Sequence, residues 1–512
     1  MNKIKTLKLN IITAILPWII LAVIGFVKIK FFINIYGDET NGFVQLITQI
    51  YGYLSLVEMG FGSAIIYKLY KPLSQGDKES VTKLFNGSKA TYKNIAIKLC
   101  SMAVIAAFIV PIFFKMESMS KPKMVLIFLI FAVDYFGKYI FDLPYRTLLY
   151  ADQKKYKANI IINVSTLIVK GVELGLILTG IDYLFVLISN VILNTTSYVI
   201  FSKIVKKEYT WLNMTDEKDL TAREMSKDIM GHKIARIAFY GTDNIIISMT
   251  KTLGLAATSI YSSYNYIISA IRNILELLFS SPLEILGNKF AKDGSKKGEV
   301  ESLYNEILSL TYFVGIMTCS VYFVAMNKLA EVWINKGYVL GTFTMIVFSL
   351  YIWYECVGRT NLTMIEANGK YKETKWIEYA CVVTNITLSF ILARYLKIAG
   401  VVLATVIAMA FIRHPFQTRF LYKDLFGMKM GKSFVKFIIY TVFMLAMCGL
   451  NYFVMTFFNM YGNLNYFTWF LNTLIIIVID AVIVFGICYA FDKSFRKGVK
   501  RFINRGKKNG EN

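Results

Sequence analysis

Histidine is almost missing from this sequence: His232 and His414 are the only two among 512 residues. The six cysteines (Cys100, Cys319, Cys356, Cys381, Cys448 and Cys488) stand singly in or beside apolar stretches, and no CxxC spacing occurs. That scarcity excludes a disulfide framework and leaves no ligand set of the zinc kind. Charge is scarce too. Only 18% of residues are Asp, Glu, Lys or Arg, and they lean one way, 57 Lys+Arg against 33 Asp+Glu. Soluble domains run at about 25% charged and about 45–50% apolar, whereas 56% of this chain is hydrophobic. Between the apolar runs no segment is long enough to fold as a soluble catalytic domain.

The charges avoid a series of apolar runs of about twenty residues, the length that crosses a ~30 Å hydrocarbon core. The runs cover roughly 11–33, 43–66, 95–114, 124–148, 159–179, 182–202, 233–250, 255–286, 304–326, 339–363, 376–396, 399–421, 435–458 and 466–490. The fold class expected is therefore all-α, a polytopic membrane protein of about fourteen transmembrane helices. The first run follows Lys3, Lys5 and Lys8 as a signal peptide would. It is too long for such a segment and lacks a small-x-small cleavage site, so it reads as an uncleaved span. With the N-terminus inside, the inside segments hold about 38 Lys/Arg and the outside loops about 8, so both termini are expected inside. The net charge of +24 is thus mostly topology and calls for no nucleic acid. The basic tail from Lys493 to Lys508 is expected against anionic headgroups.

Two stretches repeat at a spacing of about 215 residues. Asp142-Leu-Pro-Tyr-Arg146-Thr147, then Lys155-Tyr-Lys157, matches Glu355-Cys-Val-Gly-Arg359-Thr360, then Lys370-Tyr-Lys372. Val81, Leu84, Phe85 and Asn86 match Val300, Leu303, Tyr304 and Asn305 in the same order. Six spans per half give both halves one orientation, with the pseudo-axis along the membrane normal. The expected division is a six-helix bundle over roughly 1–205, a cytoplasmic linker over 206–232, a second bundle over 233–421, and two added helices with a basic tail over 422–512. Two parallel-repeat bundles that rock about a central cavity are transporter architecture.

Ionisable residues inside spans are costly, about 2.5–3.5 kcal/mol each on the insertion scale, and mark function by default. The fourth span carries Asp134, Lys138, Asp142 and Arg146 at steps of four, a row that drifts slowly around the helix over roughly 18 Å. One reading is self-neutralisation, since Lys170/Glu173, Arg272/Glu276 and Glu355/Arg359 also come as close acid–base pairs. The reading preferred here is the polar wall of a cavity. By the topology, Asp142, Arg146, Arg236, Glu276, Glu355, Arg359 and Arg413 fall in the cytoplasmic halves of their spans. Glu58, Asp134, Lys138, Asp243, Arg272 and Asp480 lie nearer the middle. Lys28 and Lys30 are expected to snorkel outward. The guanidinium fork suits phosphate, so Arg146, Arg236, Arg272, Arg359 and Arg413, with Lys138, Asp142 and Glu355, form a candidate site for an anionic headgroup. Glu58, Asp134, Asp243, Glu276 and Asp480 are candidates to carry H+ or Na+. His414 is expected to pack rather than relay protons. Pro17, Pro111, Pro144, Pro282 and Pro415 fall where they kink helices, and Pro144, between Asp142 and Arg146, is either a hinge or a static kink.

The stretch Ile35-Tyr-Gly-Asp-Glu-Thr-Asn-Gly-Phe43 and then Leu54-Ser-Leu-Val-Glu-Met-Gly-Phe-Gly-Ser-Ala-Ile65 resembles the first loop and second helix of bacterial polysaccharide flippases. These belong to the multidrug/oligosaccharidyl-lipid/polysaccharide exporter superfamily. Gly241-Thr-Asp243-Asn-Ile-Ile-Ile-Ser248, with Gly254 and Tyr261-Ser262, is similar to that family's seventh-helix pattern. The resemblance implies export of a polyprenyl-diphosphate-linked glycan across the bacterial cytoplasmic membrane by alternating access. It implies no enzyme activity and no cofactor beyond a coupling ion. The partners it implies are the lipid-linked glycan, the bilayer and polysaccharide polymerase or ligase machinery. In one respect the sequence departs from the pattern for acidic glycans, because intramembrane acids and bases nearly balance. That fits a neutral or zwitterionic repeat unit, or carboxylates used for ion coupling. The rival readings are a cation-coupled small-molecule antiporter of the same architecture and a membrane-embedded glycan polymerase or glycosyltransferase, whose loops are too short here. A pure scaffold leaves the intramembrane charges unexplained.

Overall fold

The computed structural model describes residues 3–58, 60–114, 116, 118–223, 239, 241–293, 297–368, 370–460, 462 and 464–510. All regular structure among them is helical. Nine of these helices are long and apolar enough to cross a membrane, or ten if the bent pair Asp38–Glu58 and Phe61–Gln75 is one span. Of the expected 233–250 run, residues 233–238 and 240 lie outside the described residues. Large apolar side chains face outward along several helices, among them Val442 at 61%, Phe467 at 72%, Val482 at 69% and Phe491 at 86% exposure. So much outward apolar surface is stable only against lipid. The chain is a multi-pass membrane protein.

The chain divides into two compact units, Met1–Gly241 and Thr242–Asn512. The first holds α1 (Lys3–Tyr36), α2 (Asp38–Leu54), α3 (Phe61–Gln75), α4 (Lys78–Phe113), α5 (Lys121–Phe141), α6 (Leu143–Ala151), α7 (Lys155–Leu178) and α8 (Tyr183–Glu208). Here α1 packs on α7, α4 on α5, and α8 on both α5 and α7. The sequence explains the breaks. Gly37 (φ 83°) and Gly76 (φ 69°) take left-handed turns that residues with a Cβ rarely adopt, and Asp77 caps α4 by accepting from the Ser80 amide at 3.0 Å. Pro144 has no amide hydrogen to donate, so the expected fourth span parts into α5 and α6 at Asp142.

The second unit continues through α9 (Gly254–Asp293), α10 (Lys297–Trp333), α11 (Thr342–Ala367), α12 (Tyr371–Ala408), α13 (His414–Arg419), α14 (Gly431–Phe457), α15 (Tyr466–Phe491) and α16 (Lys493–Gly510). Its centre is α10, which packs against α9, α11, α14, α15 and α16. In its apolar window 61% of residues are buried, against 17% for Pro17–Tyr36, so α10 is a core helix and α1 largely a lipid-facing one. Close approach to the centre needs a glycine: a Cβ on Gly315 would stand 3.1 Å from the Trp353 ring. Trp353 stacks with Tyr312 and Phe437, and its indole nitrogen donates to Thr441 at 2.9 Å. Helix α12 turns back at Lys397 (φ 53°, ψ −134°). Asn385 then donates to Thr405 at 3.2 Å, so the runs expected over 376–396 and 399–421 are the two arms of one hairpin.

The repeat seen in the sequence has a physical counterpart. Asn86 donates to the Thr215 carbonyl at 2.7 Å, and Asn305 accepts from the Tyr422 hydroxyl. Each of these matched asparagines ties the start of a long helix to the chain leaving the last span of its own half. One lysine of each repeat also makes an ion pair, though at different positions of the motif: Lys157 with Glu208 at 2.8 Å and Lys370 with Glu373 at 3.0 Å.

Candidate functional site

Each unit carries its own intramembrane polar cluster. In the first, Glu173 of α7 is bound by Lys28 of α1 at 2.6 Å and by Lys170 at 2.7 Å. The expectation that Lys28 snorkels outward is corrected here. A buried carboxylate across the helix interface offers the ammonium more than a partly hydrated interface does. The same residues line a cavity of about 300 Å³ with Asp134, Lys138, Asn190, Asn194 and Tyr198. One oxygen of Asp134 and the side-chain oxygen of Asn190 have no hydrogen-bond partner among the described residues. At the break between α5 and α6, Arg146 grips Asp142 with two nitrogens, one of them 3.1 Å from the carboxylate. Asp142 is fully buried there while Arg146 stays 24% exposed. Arg146 faces a second cavity, of about 350 Å³, which Glu58 and Tyr92 also line. Glu58 accepts from the Tyr139 hydroxyl at 2.9 Å. The fourth-span row is thus shared between two cavities, with Asp134 and Lys138 on one and Arg146 on the other.

In the second unit four helical elements meet. Arg272 of α9 lies 3.1 Å from Glu355 of α11 and donates to the Tyr351 hydroxyl at 2.6 Å. The other oxygen of Glu355 is 4.0 Å from Arg413, in the π-helical turn Met409–Arg413 before α13. Arg413 in turn pairs with Glu378 of α12 at 2.7 Å, and the second Glu378 oxygen accepts from Gln417 at 3.2 Å. Arg359 pairs with Glu276. The expected pairs Arg272/Glu276 and Glu355/Arg359 therefore exchange partners, and this too is a correction. Helices α9 and α11 run in the same direction, joined through α10, so residues four apart on one stand level with residues four apart on the other. Interhelical pairing then satisfies all four charges and binds the helices together, which pairing within each helix does not.

The remaining candidates lie apart from these pairs. Asp243 is buried, accepts from the Tyr261 hydroxyl at 2.7 Å, and lies within electrostatic reach of Arg272. Asp480, fully buried on α15, accepts from Ser320 at 2.6 Å and from Asn451 at 2.9 Å, which fastens the two added helices to α10. One oxygen of each aspartate has no hydrogen-bond partner among the described residues. Arg236 and His232 lie outside the described residues. His414 is buried against the Phe437 ring at a 3.8 Å centroid distance, and neither ring nitrogen has a hydrogen-bond partner among the described residues, as suits a packed histidine. Glu378 was missed by the sequence reading. It sits two residues inside the 376–396 run, and only the register of the α12 hairpin brings it to Arg413.

By sequence, no family pattern and no curated protein matches the chain. By structure there are clear likenesses. A lipid II flippase MurJ in an inward closed conformation is 15% identical, with a TM-score of 0.68 over 94% of this chain and 99% of that one. The fold is that of the MOP-superfamily transporters. An inward-facing multidrug-resistance MATE transporter of that superfamily is 12% identical, with a TM-score of 0.61 over 86% of this chain and 98% of that one. A MOP-superfamily transporter from Pyrococcus furiosus, described as having a binding pocket of reverse polarity, is also 12% identical, with a TM-score of 0.52 over 86% of this chain and 96% of that one. These MOP-fold neighbours are transporters and flippases, not enzymes.

Proposed function

We propose that this protein flips a polyprenyl-diphosphate-linked oligosaccharide from the inner to the outer leaflet of a bacterial cytoplasmic membrane, by alternating access of its two halves. The observation that carries the reading is the chain of guanidiniums in the second unit, where Arg272 and Arg359 remain about one-fifth exposed beside the buried Arg413. Planar, permanently charged donors at that depth suit phosphate oxygens. Their carboxylate partners explain the near balance of acids and bases, because each described arginine of the candidate site has an acid beside it. Among the ion-coupling candidates, Asp134, Asp243 and Asp480 have a carboxylate oxygen to offer, whereas Glu276 is taken by Arg359. A groove of about 750 Å³ with Val435, Ile439, Phe443, Ile487 and Phe491 on its walls, and Lys432 and Lys436 beside them, has the chemistry to receive a prenyl phosphate chain. Polysaccharide polymerase or ligase machinery would act on the product.

The test is complementation of a deletion strain. Arg272→Gln and Arg359→Gln each leave the acid partner either paired with Arg413 or half-exposed, so membrane abundance is expected to hold. Surface glycan falls by at least about tenfold, the loss of one charge-assisted hydrogen bond. Normal glycan from both variants sinks the diphosphate grip. The second reading, a cation-coupled antiporter of small molecules, draws on the same fold and on the three aspartates. It predicts altered drug sensitivity with an intact envelope.

A further inference from the structure

We infer that the cavity lined by Asp134, Lys138 and Asn190 in the first unit is a subsite for one sugar ring, with Asn190 and Asp134 accepting from its hydroxyls. The inference rests on the lipid-linked glycan reading above for the identity of the ligand, but uses none of the arginines.

The cavity lies wholly inside that unit, among α1, α2, α5, α7 and α8. Its volume, about 300 Å³, is at the lower end of the roughly 300–1,000 Å³ range of small-molecule sites, room for one ring and not for a chain. Asn190 of α8 is only 8% exposed, and its enclosed side-chain oxygen meets no donor among the described residues. One oxygen of Asp134 on α5 is in the same state, although Asn194 and Tyr198 of α8 stand beside that carboxylate. An orphaned buried acceptor costs about 1–3 kcal/mol, a cost that an apolar side chain would avoid. Two of them facing one cavity mark a ligand that brings hydrogens to donate. Lys138, on the same wall, makes no ion pair among the described residues and holds its ammonium 5.8 Å from the centre of the Tyr135 ring.

Charge and hydrogen bonding narrow the ligand. Lys28, Lys138 and Lys170 face Asp134 and Glu173, so the lining is positive by one charge. A bare cation enters against that charge, and among the described residues no three His, Cys, Asp or Glu side chains gather to hold a metal ion. Chloride or a phosphate dianion brings acceptors where Asn190 and Asp134 already supply them. A hydroxyl both donates and accepts, so a polyhydroxylated ring answers the two open oxygens and the Lys138 ammonium together. Phe131 and Tyr135 also line the cavity, and both stack on Tyr51, with centroids at 5.9 and 4.8 Å. They supply a fixed apolar wall for the C–H face of a pyranose. The open Asp134 oxygen is thereby assigned to a sugar hydroxyl and not to a coupling ion.

The experiment uses the full-length protein in lipid nanodiscs and saturation-transfer NMR with the methyl glycosides of glucose, galactose, N-acetylglucosamine and glucuronic acid as probes. At least one glycoside is expected to receive saturation from the wild type, and its affinity to fall by about fivefold or more in Asn190→Leu and in Lys138→Met, the loss of one hydrogen bond. Thermal stability is expected to hold or rise in both variants, because leucine leaves no orphaned acceptor and methionine breaks no ion pair. Exchange of choline chloride for sodium chloride should leave wild-type stability unchanged. If no glycoside signal exceeds that of Asn190→Leu, the cavity holds water alone and the subsite falls. It falls equally if both variants lose stability, which makes the two groups structural, or if sodium stabilises the wild type and Asp134→Asn abolishes the gain, which makes it a cation site. Each of these failures leaves the flippase reading to the arginine variants and to the lipid-linked pool of a deletion strain. Glycoside binding beside a normal pool in that strain keeps the subsite and sinks the flippase reading.

Discussion

Replacing Gly87 by alanine should undock the segment that follows α8 and passes over α4. Gly87 is inside α4, where glycine ordinarily costs stability, and its reason is the chain passing over it. A Cβ there would stand 2.7 Å from the Asp219 carbonyl carbon and 3.2 Å from the Asp219 nitrogen. Both are backbone atoms, so they can yield only by lifting that segment. Three contacts go with it: the Asp219 amide to the Lys83 carbonyl at 2.9 Å, Asn86 to the Thr215 carbonyl at 2.7 Å, and the Lys83–Glu217 ion pair at 2.7 Å. The two hydrogen bonds contribute about 1 kcal/mol each. The exposed ion pair adds between zero and about 1 kcal/mol. Local opening should therefore become easier by about 2 kcal/mol, roughly a thirtyfold rise in exchange of the Asp219 amide. Hydrogen exchange by mass spectrometry over residues 215–221 reads this directly, and limited trypsin cleavage after Lys218 should accelerate in step. Unchanged protection over that segment would refute the reasoning, because no side-chain rotation relieves a clash with backbone.

Three further outcomes follow from the ion pairs. Arg146→Leu strands the fully buried Asp142 and should cost about 3 kcal/mol or more, whereas Asp142→Leu leaves an arginine already 24% exposed and should cost less; thermal inactivation of purified protein ranks the two, and the reverse order counts against the pairing. Glu173→Gln removes the partner of both Lys28 and Lys170 and should lower thermal stability by several degrees more than Lys28→Met, which leaves Glu173 its contact with Lys170 at 2.7 Å. Asp182, in the loop before α8, is held below the ordinary carboxylate range by Lys123 and by the Leu184 amide. Because its folded value is depressed, its contribution is present above the ordinary carboxylate pKa and is lost as pH falls through the lower folded value. Asp182→Asn should therefore be less stable than wild type at neutral pH and converge with it in acid, and a gap that persists in acid would contradict this assignment.

Helix positions were legible in the sequence because apolar length is set by the bilayer and turns by glycine and proline. Pro144 marks the α5–α6 break, and the two runs either side of Lys397 mark the α12 hairpin. The residues of the polar site were legible in kind, since charge inside an apolar run is visible without a structure. Their partners were not. Arg272, Glu276, Glu355 and Arg359 offer two equally spaced pairings, one within helices and one between them, and only the packing of α9 on α11 decides. Glu378 escaped notice for the same reason, as did the link between Lys28 and Glu173, 145 positions apart. Gly87 carried no signal in the sequence, because the backbone of Asp219 that passes over it is 132 positions away. Local rules predict elements well, and register between elements belongs to tertiary packing.

The claim most open to a single test is that the cargo is a lipid-linked glycan. The measurement is the pool of polyprenyl-linked oligosaccharide in a deletion strain, with leaflet sidedness probed by a membrane-impermeant sugar-modifying reagent. The account predicts a pool that accumulates and stays unmodified on the cytoplasmic face until the wild-type protein is restored. A normal pool, equally modified with and without the protein, would contradict it.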